Sequence, residues 1–433
     1  MATHQKLVKH LRNLLKWAAR RWQPALLLAV LSLVLTVEAP PPAKLDTRIT
    51  RLLAGERFNF AGWEVEALWG KLVHRLVSPQ RYMDEPARHD FFLDYLGLVA
   101  DIQRLEWEIN RTYTDPEVEH PDAATAELRD RLAELRTEEE TSQLLAEAIL
   151  EEQTASVLVG DGFGVLGQEL PPVGAHFTPL PSLLIVSPRD HIERIFSLGL
   201  RHGLNAAQRE DIEEQIDGDL GVSSLVTGIG GMAAYPAMML ESSSLDWVTN
   251  VTAHEWTHHY LTPRPLGWNY DASSEARTIN ETVASIVGEE AGRQVVARYY
   301  PELLPPEPEP APEESEEEPA EPPAFDFRAE MRETRIQVDA LLAQGKIEEA
   351  ESYMEERRQM FVDRGYYIRK LNQAYFAFHG AYADQPGAAG EDPIGPAVRE
   401  LFASSPNLHT FVARVSGVTT LAELEALVEK MER

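Results

Sequence analysis

The chain has 433 residues, long enough for two or three structural units with a sizeable core. Asp and Glu number 70 against 40 Lys and Arg, and the net charge of −30 excludes nucleic acid as a partner, because phosphate binding needs clustered cations. The absence of cysteine excludes disulfides, thiolate zinc knuckles and a cysteine nucleophile, while 25 % charged and 44 % hydrophobic residues are ordinary for a globular protein.

Residues 1–23 carry Lys6, Lys9, Arg12, Lys16, Arg20 and Arg21 and no acid, and an uncharged, mostly aliphatic run follows from Pro24 to Val37. A cationic flank before an apolar run predicts a signal peptide or a signal anchor with its N-terminus in the cytoplasm. Ala39 is followed by Pro40, Pro41 and Pro42, and no A-x-A cleavage pattern is present. Residues 1–43 are therefore expected to be a basic lead-in and a single-pass membrane anchor, with 44–433 outside the cytoplasm. Leu7, Leu11, Leu14, Leu15, Ala18 and Trp22 add an apolar stripe suited to the headgroup level.

Residues 44–154 read as helical: an aromatic-rich segment Leu45–Met83, then helices over His89–Arg111 and Ala123–Gln153. Pro116 and Pro121 break the loop Thr112–Asp122 between them. The second helix has an apolar face through Leu128, Leu132, Leu135, Leu144 and Ala148, which places Glu139 and Glu140 on its solvated side. This region is either a cap on the following domain or that domain's packed N-terminal half.

Residues 155–300 begin with short β-rich runs: Ser156–Val159, Leu183–Ser187, Ile192–Leu200, Val222–Gly228 and Met232–Leu240, with a helix at Ala206–Ile216. Gly162, Gly164 and Gly167 spell G-x-G-x-x-G, but Pro171 and Pro172 soon follow and no helix opens there, so a hairpin is expected rather than a dinucleotide loop. Helices resume at Leu245–Leu261 and Ser273–Tyr300, separated by a loop from Thr262 to Asp271. Residues 301–324 hold nine Pro and nine Glu and read as a disordered linker. Residues 325–433 form a helical subdomain with expected helices at Ala329–Ala343, Ile347–Asp363, Tyr366–Tyr382, Pro396–Phe402 and Leu421–Met431. The fold class is α+β and predominantly helical.

The chemistry concentrates in His254-Glu255-Trp256-Thr257-His258, an H-E-x-x-H pentad inside the Leu245–Leu261 helix. Histidines four apart project from one helical face, so both imidazoles reach one metal, and Glu255 points beside it, where a base for an activated water belongs. Asn280-Glu281 follows on the next helix. An antiparallel return would bring the Glu281 carboxylate to the histidines and complete a His₂Glu set with an open fourth position, the mark of a catalytic zinc site.

His254-Glu255-x-Thr257-His258 with Asn280-Glu281-x-x-Ala284 resembles the gluzincin metallopeptidases, the thermolysin-like clan. The stretch from Lys370-Leu371-Asn372-Gln373-Ala374 to Tyr382 is more loosely similar to predicted bacterial aminopeptidases of that clan. The resemblance implies a mixed β subdomain above the zinc helix and a helical domain closing the cleft. It implies one Zn²⁺ per chain held by His254, His258 and Glu281, with Glu255 as general base. It departs at Ser285, where many gluzincins carry an acid that orients a ligand histidine; either Glu289 substitutes or the support of the ligand histidine is weaker. Gly230-Gly231-Met232 is similar to the opening of an amine-binding motif, but Ala233 stands where its Glu would be, which leaves a Gly-rich edge strand beside the cleft.

An oxyanion donor from the C-terminal subdomain is expected, as gluzincins commonly use a Tyr or His. Tyr367, Tyr375, His379 and Tyr382 are the candidates; Tyr382 is placed first by the same resemblance and His379 second. The sequence thus points to a membrane-anchored zinc metallopeptidase acting on peptide or protein substrates, aminopeptidase or endopeptidase. The alternative is an inactive pseudo-peptidase serving as an envelope binding or scaffold module.

Overall fold

The computed structural model describes residues 44–304, 325–385 and 387–432. The expected anchor and almost all of the Pro/Glu linker lie outside the described residues; of that linker, Pro301–Leu303 forms a 3₁₀ turn. Among the described residues no helix is long and apolar enough to cross a membrane. The chain divides at Ala54. Before it stands helix α1 (Leu45–Leu52); everything below belongs to the unit that begins at Gly55.

That unit is predominantly helical with small mixed sheets, an α+β arrangement. It opens with α2 (Phe60–Val77), α3 (Glu85–Thr114) and α4 (Ala126–Leu158). The last two pack as a long antiparallel pair through Ile102, Leu105 and Leu135. Asp84 caps α3 by accepting the Ala87 N–H.

Two expectations fail on α4. Ser156–Val159 is not a strand: α4 continues to Leu158 and ends in a π turn, Val159–Phe163. Val157 and Leu158 are buried against the two central helices, and that packing outweighs their β-prone composition. Glu139 is buried rather than solvated, 3.5 Å from Arg136. Burial, followed by repulsion from Glu241, pushes its carboxyl up to about 7.

Gly164–Val165 (β1) and Gln168–Glu169 (β2) form the expected hairpin. One three-stranded sheet has the order β3 (Ala175–Phe177), β8 (Ala237–Met239), β7 (Gly231–Met232). The predicted strand Met232–Leu240 is therefore two pieces. The second sheet has β4 (Ser182–Ser187) between β5 (Phe196–Leu200) and β6 (Ser223–Thr227), all antiparallel. Between β5 and β6 runs α5 (Ala206–Leu220), opened by an Asn205–Gln208 capping box.

The outer edge of β3 is tied down. The Ala175 N–H donates to Glu151 at 2.9 Å and the Phe177 N–H to Glu147 at 2.8 Å, both carboxylates coming from α4. Lys71 of α2 lies 2.6 Å from Glu147 and 2.7 Å from Glu151. Burial alone would raise Glu147, but Lys71 and His176 outweigh it and hold the carboxyl at about 2.

At the centre lie α6 (Leu245–Leu261) and α7 (Ser274–Tyr299). Ser244 caps the first by accepting from Trp247 N–H, and Ser273 the second by accepting from Ala276 N–H. Both are buried around most of their circumference, α6 by Val248, Ala253, Trp256 and Leu261 and α7 by Ile279, Val283, Val287 and Ala291. They touch backbone to backbone. A Cβ on Gly288 would sit 2.9 Å from the Asn250 carbonyl oxygen, and one on Gly292 would sit 2.8 Å from the Asn250 nitrogen. Gly292→Val is expected to destabilise the fold by about 1–3 kcal/mol through overpacking, read as a lower denaturant midpoint.

C-terminal to 324 come α8 (Phe327–Ala343), α9 (Ile347–Asp363), α10 (Gln373–His379), α11 (Ile394–Ala403), α12 (Leu408–Val415) and α13 (Leu421–Glu432). The predicted helix Tyr366–Tyr382 shrinks to α10, because Asn372 takes an extended conformation and caps it at Tyr375 N–H. The eight-residue α12 was not expected. Helices α11 to α13 pack onto α7, and α8 and α9 form a separate cluster with Phe376.

Candidate metal centre

The antiparallel crossing of α6 and α7 brings three groups together. His254 Nε2 and His258 Nε2 lie 3.2 Å apart, and Glu281 Oε2 lies 3.5 Å from the first and 3.6 Å from the second. All three ligand atoms fall within 4.8 Å of one another. Glu281 Oε2 is buried and accepts no hydrogen bond. Two convergent ring nitrogens and an orphaned carboxylate oxygen suit a shared cation, and this group can hold a metal ion.

The surroundings orient two of these three groups. His258 Nδ1 lies 2.8 Å from Asn280 Oδ1, so the ring donates from Nδ1 and leaves Nε2 free for a metal. Tyr270 donates its O–H to Glu281 Oε1, orienting Oε2 toward the histidines. Asn280→Ala is expected to weaken metal binding about 10–100-fold, measured by competition with a chromophoric chelator.

Charge follows the same geometry. Burial opposes a charge on His258, but Glu281 overrides it and lifts the imidazole to about 9. Burial would raise Glu281, and the two imidazoles hold it well below the carboxylate range instead. Glu255 goes the other way: burial pushes its carboxyl up, against the attraction of His254 and His258.

A cavity of about 350 Å³ opens over these residues. His254, Glu255, His258 and Glu281 line it, together with Tyr382, and the Tyr382 ring stacks 6.4 Å from that of His254. Burial pushes the Tyr382 phenol up, so it remains an O–H donor. Of the other oxyanion candidates, Tyr375 and His379 do not line the cavity and pack against each other at a tilt, ring centres 4.3 Å apart, and Tyr367 is solvent-exposed. Glu289 is exposed and hydrogen-bonds neither histidine, so it does not stand in at Ser285. His259 points elsewhere, bonding the Ala234 carbonyl at 2.7 Å.

Gly231 of β7 lies hard against Glu255, and a Cβ there would collide with its Oε1. Gly231, Met232 and Ala233 form one wall of the cavity. Strand β7 pairs only with β8 among the described residues, so its other edge is open. Tyr270, Asp271, Arg194 and Arg277 complete the lining and are absent from the sequence-based set of site residues. Three of them come from loops without periodicity, and only the proximity of Tyr270 and Asp271 to the pentad hinted at them.

Comparison with protein-family models, with curated proteins and with solved structures finds no match.

Proposed function

We propose that the chain is a zinc-dependent metallopeptidase of gluzincin type that hydrolyses peptide bonds. The observation that carries this reading is the convergence of His254, His258 and Glu281 with Glu255 beside them in a single cavity. Zinc suits the two-imidazole, one-carboxylate donor set; when bound it supplies Lewis-acid polarisation and acidifies water. Glu255, raised by burial and given room by the missing side chain of Gly231, takes the proton of the attacking water and passes it toward the leaving amine. Tyr382 is positioned to donate its O–H to the oxygen on which negative charge develops. The open edge of β7 offers backbone groups to an extended peptide lying across the cavity.

Membrane attachment belongs to the same reading. The apolar run Pro24–Val37 provides the anchor, with the catalytic unit outside the cytoplasm. Val65, Leu68, Trp69, Leu72, Val73 and Leu76 make an exposed apolar stripe on α2, which suits a helix lying against lipid.

The full-length protein is expected to cleave peptides, to lose that activity to a chelator, and to regain it with added zinc. Cleavage that survives full metal removal rejects the reading. Comparing a free peptide with its N-acetylated form then separates aminopeptidase from endopeptidase, since only the endopeptidase tolerates the blocked amine.

A further inference from the structure

The cavity also carries a charge pattern that the hydrolytic machinery does not use. Arg194, in the loop before β5, and Arg277, in the first turns of α7, both line it. Their side chains are only 9 % and 7 % exposed, and among the described residues both pair with a single carboxylate, Asp271, at 2.9 and 3.4 Å. Asp271 itself is 79 % exposed, so its charge is largely spent on solvent. Arg277 Nε is buried with no acceptor at all.

Two buried guanidinium groups facing one solvated carboxylate leave a positive charge uncompensated, in a chain that carries −30 overall. Burial, with Arg194 adding to it, disfavours the charge on Arg277. A buried cation without a partner is costly, and a planar guanidinium meets a carboxylate through two parallel bonds. Tyr270 fixes the distance to the metal ligands: the two guanidinium carbons stand 5.4 and 5.8 Å from its ring centre, while its hydroxyl binds Glu281. One side chain therefore separates the arginine pair from the metal ligands, close enough for a group on a residue that adjoins the scissile bond.

We propose that Arg194 and Arg277 form a carboxylate-recognition subsite that selects substrates bearing a negative group next to the cleaved bond. This rests on the peptidase reading for the word substrate, but the subsite itself is defined by binding. The shared chemistry is a carboxylate, supplied either by the peptide's own C-terminus or by an Asp or Glu side chain.

The first test therefore avoids catalysis. N-acetyl-dialanine and its C-terminal amide are titrated by calorimetry into chelator-treated full-length protein, alongside N-acetyl-glutamate amide and N-acetyl-glutamine amide. At least one acid is expected to bind about tenfold tighter than its neutral partner, and Arg194→Gln to bring that pair to parity. Arg277→Lys, which keeps the charge but loses the planar fork, should lose part of the preference. The pair that shows the difference names the source of the carboxylate. Equal binding within both pairs, or a preference untouched by Arg194→Gln, overturns the proposal. Peptide cleavage by the zinc-loaded protein is then read separately. A carboxylate preference without cleavage keeps the subsite and rejects the peptidase reading; cleavage without any preference does the reverse.

Discussion

Glu255→Gln is expected to lower peptide hydrolysis about 10²–10⁴-fold, the range supplied by a positioned general base. The substitution keeps the shape of the side chain that Gly231 presses against, so the fold should persist. The three groups that can hold a metal, His254, His258 and Glu281, are unaltered, so metal content should match the wild type. Measuring kcat on one peptide together with zinc per chain checks both halves. Undiminished turnover in a folded, zinc-loaded variant would remove Glu255 from the mechanism. A loss of turnover in the variant would separate an enzyme from a pseudo-peptidase, because an inactive wild type has nothing to lose.

The second large effect concerns the metal itself. Glu281→Ala leaves two imidazoles and deprives Tyr270 of its acceptor. Affinity for zinc is expected to fall by more than about 100-fold, since even outer partners of a ligand are worth 10–100-fold. Elemental analysis of purified protein should find about one zinc per wild-type chain and far less in the variant. A full complement of zinc in folded Glu281→Ala would place the metal elsewhere.

The parts of this molecule that could be read from sequence are those governed by neighbours along the chain. Helix α6 runs from Leu245 to Leu261 as its pattern and its Ser244 cap imply, and the His254–His258 spacing needs only one helical turn to become a ligand pair. Glu281 required one further step, an antiparallel return, and the short Thr262–Asp271 connection makes that return nearly obligatory. Arg194 is different. It reaches the cavity from a loop sixty residues before the pentad, and nothing local marks it. Glu139 and Val157 depart from the local pattern because their surroundings include Glu241 and the helices α6 and α7, which no window along α4 contains. The shortened α10 belongs to the same class: Asn372 donates to the Ser224 carbonyl of β6, and that distant tie fixes where the helix starts.

The two sides of the β3–β8–β7 sheet are unlike, and the difference gives the sheet a direction. On the β3 side, Glu147 and Glu151 occupy the outward N–H groups, with Lys71 balancing their charge. No additional strand can hydrogen-bond there without displacing buried carboxylates, so that margin is sealed against stray pairing with other chains. On the β7 side no further strand pairs among the described residues, and that margin borders the cavity that Glu255 lines. A sheet of only three strands is thus closed to further pairing on one margin and unpaired on the other, and the unpaired margin lies alongside Glu255.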